Sequence, residues 1–174
     1  LGLLADGMGF ENLFMQAWRM REQVLDIFEK TTGGRVIFSV CKVGGVRRDG
    51  EDSELHAIVQ HLLGMKEELR KITDEFFAEP TVVSRMRGVG VLSEEDAKAL
   101  CCVGPMARAS GIPVDMRVAD TEGAYQDLEF YPCISRDGDC YARCRVRVDE
   151  LFQSIELIRE AVDKIPTGDI AVPV

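Results

Sequence analysis

Residues 139–165 read DCYARCRVRVDELFQSIELIREAVDKI, and this stretch decides the fold class. Within it Tyr141, Cys144, Val148, Leu151, Ile155, Ile158, Val162 and Ile165 recur at steps of three and four. A helix turns once every ~3.6 residues, so this set lines one narrow face, close to a coiled-coil seam in period. The spacing predicts a long helix from Asp139 that packs on other helices. Ile165-Pro166-Thr167-Gly168 ends it, because proline cannot continue a helix.

Two more helices appear upstream. Residues 52–78 carry Leu55, Ile58, Val59, Leu62, Leu63, Leu69, Ile72 and Phe76 as an apolar stripe. Asp52 or Ser53 can cap this helix, Glu79-Pro80 stops it, and its charges form a solvated face. Residues 8–31 place Phe10, Phe14, Ala17, Trp18, Val24, Leu25 and Phe28 at helical spacing, with Gly33-Gly34 after the end.

The rest is shorter. Arg35–Cys41 is β-favouring and precedes the Gly44-Gly45 turn. Thr81–Met86 reads as one or two helical turns, and Ser93 opens a short helix with Glu94, Glu95 and Asp96 in its first turn. Residues 101–123 are rich in breakers yet carry Val103, Met106, Ile112, Val114 and Met116, so an ordered loop that packs on something is expected. Leu128–Ile134 reads as a strand, with Asp137-Gly138 as the turn of a short hairpin. The fold class is therefore mainly α with a small α+β part: three long helices, short helices and a β-hairpin in a bundle. We assign residues 1–174 to a single domain.

Lys and Arg total 21 against 30 Asp and Glu, a formal charge of −9. That balance disfavours a nucleic-acid or anionic-membrane surface, both of which reward a basic face. No apolar run approaches the ~20 residues of a spanning helix, so direct membrane insertion is not expected. The chain starts at Leu1 with no charged leader and ends in apolar Ala171-Val172-Pro173-Val174, which reads as an internal segment of a longer protein.

The six cysteines (41, 101, 102, 133, 140 and 144) contain no C-x-x-C pair. Buried structural thiols are the leading reading, and a zinc site at Cys133, Cys140 and Cys144 is a competing one. His56 and His61, five apart, read as helix-surface residues that share no face. Gly88-Val89-Gly90 lacks the third glycine and the βαβ setting of a dinucleotide site, and no P-loop or G-x-S-x-G occurs. With both histidines in one helix, a Ser-His-Asp hydrolase does not fit. Arg108, Arg117, Arg143, Arg145 and Arg147 sit near acids in or beside breaker-rich stretches. They read as ion pairs tying loops to helices, or as groups facing a partner or shielding a cofactor.

Several strings, taken in order, are more specific. They are Trp18-Arg19-Met20-Arg21-Glu22, Gly34-Arg35, Gly44-Gly45-Val46-Arg47-Arg48-Asp49 and Gly104-Pro105-Met106-Ala107-Arg108-Ala109-Ser110-Gly111. Asp115-Met116-Arg117 follows, then Gly138-Asp139-Cys140-Tyr141-Ala142-Arg143, Arg147, Glu150, Ser154 and Pro166-Thr167-Gly168. The set resembles the large subunit of membrane-bound, energy-converting [NiFe] hydrogenases and the related quinone-site subunit of respiratory complex I. The resemblance implies the hydrogenase large-subunit fold and a place in an electron-transfer oxidoreductase. It implies docking on an iron–sulfur subunit and, through membrane ion-translocating subunits, a peripheral position on the cytoplasmic inner face of the cell membrane.

In the hydrogenases two C-x-x-C pairs hold the Ni–Fe centre. Neither pair is in this chain, so the resemblance implies no metal, cofactor or catalytic residue here, and the segment alone would be inactive. Ile37 stands where complex I subunits carry a His, and with Arg47-Arg48 this favours the hydrogenase-like branch. NAD binding and quinone binding belong to the complex I alternative. A non-enzymatic scaffold homologue is the other alternative. By resemblance Arg21, Glu22, Arg35, Arg108, Asp115, Arg117, Asp139 and Arg143 are framework ion-pair or hydrogen-bond residues. Gly44 and Gly45, with the loop around Arg108, would face the iron–sulfur partner. A bundle missing some of its helices would expose apolar surface and self-associate.

Overall fold

The computed structural model describes residues 1–119 and 123–173. The chain forms two compact units, one from Leu1–Ile72 with the stretch from Val162 on, the other from Thr73–Ala161.

The first unit opens with α1 (Gly2–Gly7), turns at Gly9, and continues as α2 (Glu11–Thr32). The expected helix over 8–31 thus starts later, and the preceding short helix was not foreseen. Ala5 of α1 is fully buried, and α1 packs on α2. On α2 only Met20 is buried, and Phe14 and Trp18 meet edge to face at 5.5 Å. Gly33 ends α2 in the left-handed region at φ 81°, where the C-cap glycine was expected.

The expected strand over Arg35–Cys41 shrinks to β1 (Cys41–Lys42), paired antiparallel with β2 (Gly45–Val46). Val36 and Ile37 are 72% and 84% exposed, with no strand beside them to bury their side chains among the described residues. The β-hairpin of the fold is therefore this one. Its outer edge receives the C-terminal stretch: Val46 N–H donates to Ile170 O at 3.0 Å and Val172 N–H to Gly44 O at 2.9 Å. A Cβ at Gly45 would overlap the Ile170 carbonyl oxygen, so this close approach needs glycine. α3 (Asp52–Ala78) follows with the predicted bounds, burying Val59, Leu62, Met65 and Ile72 in this unit.

The second unit begins with the last turns of α3, where Phe76 is fully buried. Pro80 does not simply stop the chain. It is the first residue of α4 (Pro80–Met86), a position where a missing N–H costs nothing, with Glu79 as its cap. α5 (Glu94–Ala99) is capped by Ser93, whose Oγ accepts the Asp96 N–H at 3.0 Å. Residues 101–123 are more helical than expected, holding α6 (Gly104–Ala109) and α7 (Met116–Ala119). Of the five larger apolar residues named there Ile112 is buried, while Val103, Met106, Val114 and Met116 are exposed. The expected packing therefore fails for most of them. Asp120, Thr121 and Glu122 lie outside the described residues.

Leu128–Ile134 is not a strand, and no hairpin forms around Asp137-Gly138. The stretch is an irregular strap pinned one bond at a time: Glu160 accepts the Glu129 N–H, Gln153 donates to Tyr131 O at 2.8 Å, and Ser135 N–H donates to Arg108 O at 3.0 Å. Gly138 sits at φ 65°, and a Cβ there would overlap the Leu92 carbonyl oxygen. α8 (Cys140–Lys164) is the predicted long helix. Ala142, Cys144, Val146, Val148 and Leu157 are buried, whereas Leu151, Ile158 and Ile165 of the predicted seam are exposed. The buried stripe is shifted because Ala109, Ala142 and Val146 form one cluster with Cys133 beside it. No helix among the described residues is long and apolar enough to cross a membrane.

Candidate functional site

The residues singled out by sequence fall into three places. In the second unit, Arg108 sits in the last turn of α6, flanked by buried Ala107 and Ala109. Short side chains on both sides let the helix lie close to its surroundings, and the guanidinium is 6% exposed. A buried charge must be paired. Arg108 Nε donates to Glu150 Oε1 at 2.6 Å, and Nη2 lies 2.6 Å from the same oxygen as an ion pair. Its Nη1 lies 2.9 Å from Asp115 Oδ2 and donates to Val114 O at 3.2 Å.

Asp115 is the hub. Its Oδ1 accepts the Arg117 Nε–H at 2.8 Å and the Arg117 backbone N–H at 3.1 Å, so it caps α7 as well. Its Oδ2 accepts from Arg117 Nη2 at 2.7 Å. The Arg117 guanidinium lies 4.3 Å from the Phe130 ring centroid, a cation–π contact that fixes its outer face. Two arginines meet two carboxylates, so the cluster is neutral. The bonds from Arg117, partly opposed by burial, hold the Asp115 carboxyl below its usual range. In return Asp115 raises the Arg117 guanidinium.

Asp139 and Arg143 form the second place, at the start of α8. Asp139 Oδ1 accepts the Ala142 N–H at 2.7 Å and caps the helix, while Oδ2 accepts the Gly88 N–H at 2.8 Å. Arg143 donates to Gly138 O at 2.6 Å, to Gly90 O at 2.9 Å and to Cys140 Sγ at 3.1 Å. These bonds tie the 88–92 loop to the helix start, as does Cys140 N–H on Val89 O at 3.0 Å.

The third place, in the first unit, is exposed. Arg35 donates to Asp26 at 2.6 Å, Glu29 at 2.8 Å and Glu22 at 2.6 Å, and these carboxylates raise its guanidinium. Arg21 lies 3.7 Å from Glu22 and over the Trp18 ring. Gly44 lies in the turn of the hairpin and Gly45 is the first residue of β2.

Glu150 lies outside the framework residues that the resemblance implies, yet it completes the cluster. The signal was there: Arg143, Arg147, Glu150 and Ser154 recur at steps of four, three and four, a polar stripe on one face of an otherwise apolar-patterned helix.

The cysteines depart from the buried reading. Only Cys144 is buried, Cys102, Cys133 and Cys140 are half-covered, and Cys41 and Cys101 are exposed. Among the described residues no three or more His, Cys, Asp and Glu side chains gather to hold a metal, so Cys133, Cys140 and Cys144 do not form a zinc set. Burial pushes the Cys133 and Cys144 thiols up, which opposes the thiolate form that a soft metal centre needs. These residues do not fit a Ni–Fe centre. His56 and His61 are exposed on α3.

Residues 7–173 match the family described as the 49 kDa subunit of respiratory-chain NADH dehydrogenase. Among curated proteins, the chain is 35% identical to a subunit of the F420H2 dehydrogenase of Methanosarcina mazei, over 98% of its own length and 46% of that protein's. It is 38% identical to a subunit of the NADH-quinone oxidoreductase of Bacteroides thetaiotaomicron, covering 95% of this chain and 31% of that one. The alpha subunit of the membrane-bound hydrogenase of Pyrococcus furiosus is 35% identical, over 98% and 42%. Among solved structures, a chain of the membrane-bound sulfane sulfur reductase, an archaeal respiratory membrane complex, superposes with a TM-score of 0.90 at 30% identity. That superposition covers 98% of this chain and 46% of the other. The chain spans less than half the length of these relatives.

Proposed function

The chain belongs to the family of the 49 kDa subunit of respiratory-chain NADH dehydrogenase, and on that premise we propose that it is the central scaffold of an electron-transfer oxidoreductase large subunit. The enzyme would resemble the energy-converting [NiFe] hydrogenases, coupling hydrogen–proton redox chemistry to ion translocation. One observation carries the scaffold reading: three of the strings that carry the resemblance meet in the neutral, largely buried Arg108–Asp115–Arg117–Glu150 cluster. Such a cluster holds a loop-rich surface in one geometry without itself offering a reactive group. Ion pairs buried this deeply serve positional specificity better than net stability.

The expected partners are an iron–sulfur small subunit and membrane ion-translocating subunits, which would hold the protein at the inner membrane face. Redox metal chemistry would be supplied by cysteine pairs outside these residues. Ile37 and Arg47-Arg48 support the hydrogenase-like branch. The NADH-quinone reading draws its support from the 38% identical relative.

The test is a tagged protein purified in its native frame from detergent-solubilised membranes. Co-elution of an iron–sulfur subunit, with hydrogen-dependent dye reduction, is expected. Quinone reduction without hydrogen uptake would transfer the protein to the second reading. Recovery of the protein alone, with neither activity, would overturn both.

A further inference from the structure

The turn after α5 carries two adjacent thiols in an unusual backbone setting. Cys101 N–H donates to Lys98 O at 3.0 Å and Cys102 N–H to Ala97 O at 2.9 Å. These are the paired bonds of a Schellman helix ending, whose central residue is left-handed and usually glycine. Here that residue is Cys101 at φ 51°, the one non-glycine with positive φ among the described residues. Cys102 packs with Leu92 on the cluster of Ala97, Ala107 and Ile112, the apolar contact that such an ending makes. One thiol is therefore exposed and its neighbour half-covered. A side chain with reactive chemistry, kept where glycine would be easier, points to a use.

We propose that Cys101 and Cys102 form a reversible dithiol switch, oxidised by exchange with a low-molecular-weight disulfide. Cys101, as thiolate, attacks one sulfur of the small disulfide. The small S–S bond breaks, a mixed disulfide forms on Cys101, and one small thiol leaves with the proton Cys101 released. Cys102 then attacks the Cys101 sulfur, and the second small thiol leaves with the Cys102 proton. Two protein thiols and one small disulfide become one protein disulfide and two small thiols.

Consecutive Cα atoms lie ~3.8 Å apart, closer than the roughly 4.4–6.8 Å of ordinary disulfides. The closed ring is strained and easily reduced, which suits a switch and not a staple. Closure draws Cys102 off its apolar cluster. Ala107 of that cluster directly precedes Arg108, so the event reaches the buried ion network.

The full-length protein, reduced and then incubated with oxidised glutathione, is alkylated, digested and read by mass spectrometry. The expected peptide spanning both cysteines has lost two hydrogens, carries neither alkyl group nor glutathione, and regains both thiols in reduced glutathione. Cys102→Ser is expected to trap glutathione on Cys101, with circular dichroism checking its fold. Glutathione persisting on Cys101 of the unsubstituted protein would overturn the proposal. So would an unreacted pair in a sample whose exposed Cys41 has taken up glutathione.

Discussion

Replacing Arg108 by methionine removes the guanidinium but keeps a long apolar stem in the site. Two carboxylates then lose a partner. Breaking a buried pair typically costs about 3–5 kcal/mol, because the remaining charge stays desolvated and alone. The structure argues for the low end. Asp115 keeps its bonds from Arg117, and the Glu150 side chain is 18% exposed, so water can reach it. The expected loss is therefore about 3 kcal/mol. With a urea slope of about 2 kcal/mol/M, the midpoint falls by about 1.5 M. Adding Glu150→Leu removes the orphaned charge and is expected to restore part of that loss, since apolar replacement of a whole buried pair is often close to neutral. Equilibrium urea unfolding at neutral pH, followed by circular dichroism, reads both variants. A single-variant loss below about 1 kcal/mol would mean that the guanidinium is not held as described. A double variant no more stable than the single one would refute the unpaired charge as the cause.

Arg117→Gln removes the largest cause of the lowered Asp115 carboxyl. A carboxyl lowered by folding adds stability above its ordinary unfolded value, near pH ~4, and loses it as pH falls through the folded value. The urea midpoint of this variant is therefore expected to lie below wild type at pH 7, by a gap that is smaller at pH 3. An equal gap at both pH values would exclude Asp115 as the linked group. Cys101→Gly relieves the left-handed position and is expected to raise stability by about 1 kcal/mol; a drop in thermal midpoint would contradict the helix ending as described. Asp139→Ala removes the α8 cap and the Gly88 anchor together, for an expected loss of about 2 kcal/mol by urea unfolding. A loss within error of zero would show that water replaces both bonds.

Long-period patterns were legible because they depend on one element at a time. The stripe from Leu55 to Phe76 gave the bounds of α3, and the Ser93 cap with its acidic first turn marked α5. The misses depend on partners distant in sequence. Val36, Ile37 and Phe38 look like a strand, yet an edge needs something to pair with, and among the described residues the hairpin's backbone bonds join residues 40–47 and 170–172. Leu128–Ile134 has strand composition, but its backbone bonds go to near neighbours, Leu128 N–H to Tyr125 O and Phe130 N–H to Leu128 O, and to side chains of α8. α6 and α7 hid among glycines and prolines because Pro105 opens a helix there and Asp115 caps one. Arg108 and Asp115 were named through resemblance. Their shared geometry with Glu150, 42 residues beyond Arg108, appears only once the chain is folded.

The same cluster explains why several large apolar residues between 101 and 119 are exposed. Arg108 and Asp115 occupy the interior of this stretch, so Val103, Val114, Met116 and Val118 are left on the surface. The segment thus buries Arg108 and Asp115 beside Ala107, Ala109 and Ile112 while leaving larger apolar side chains outside, and exposed apolar surface commonly marks a place that another chain covers. Under the proposed function that chain is the iron–sulfur subunit. Glutamate at both Val114 and Met116 places charge on side chains 49% and 65% exposed, which a monomer tolerates but a buried apolar contact does not. The double variant is expected to keep the wild-type urea midpoint and to lose the iron–sulfur subunit on membrane purification. Retention of that subunit would remove this face from the interface, while a lowered midpoint would show that the side chains pack within the chain itself.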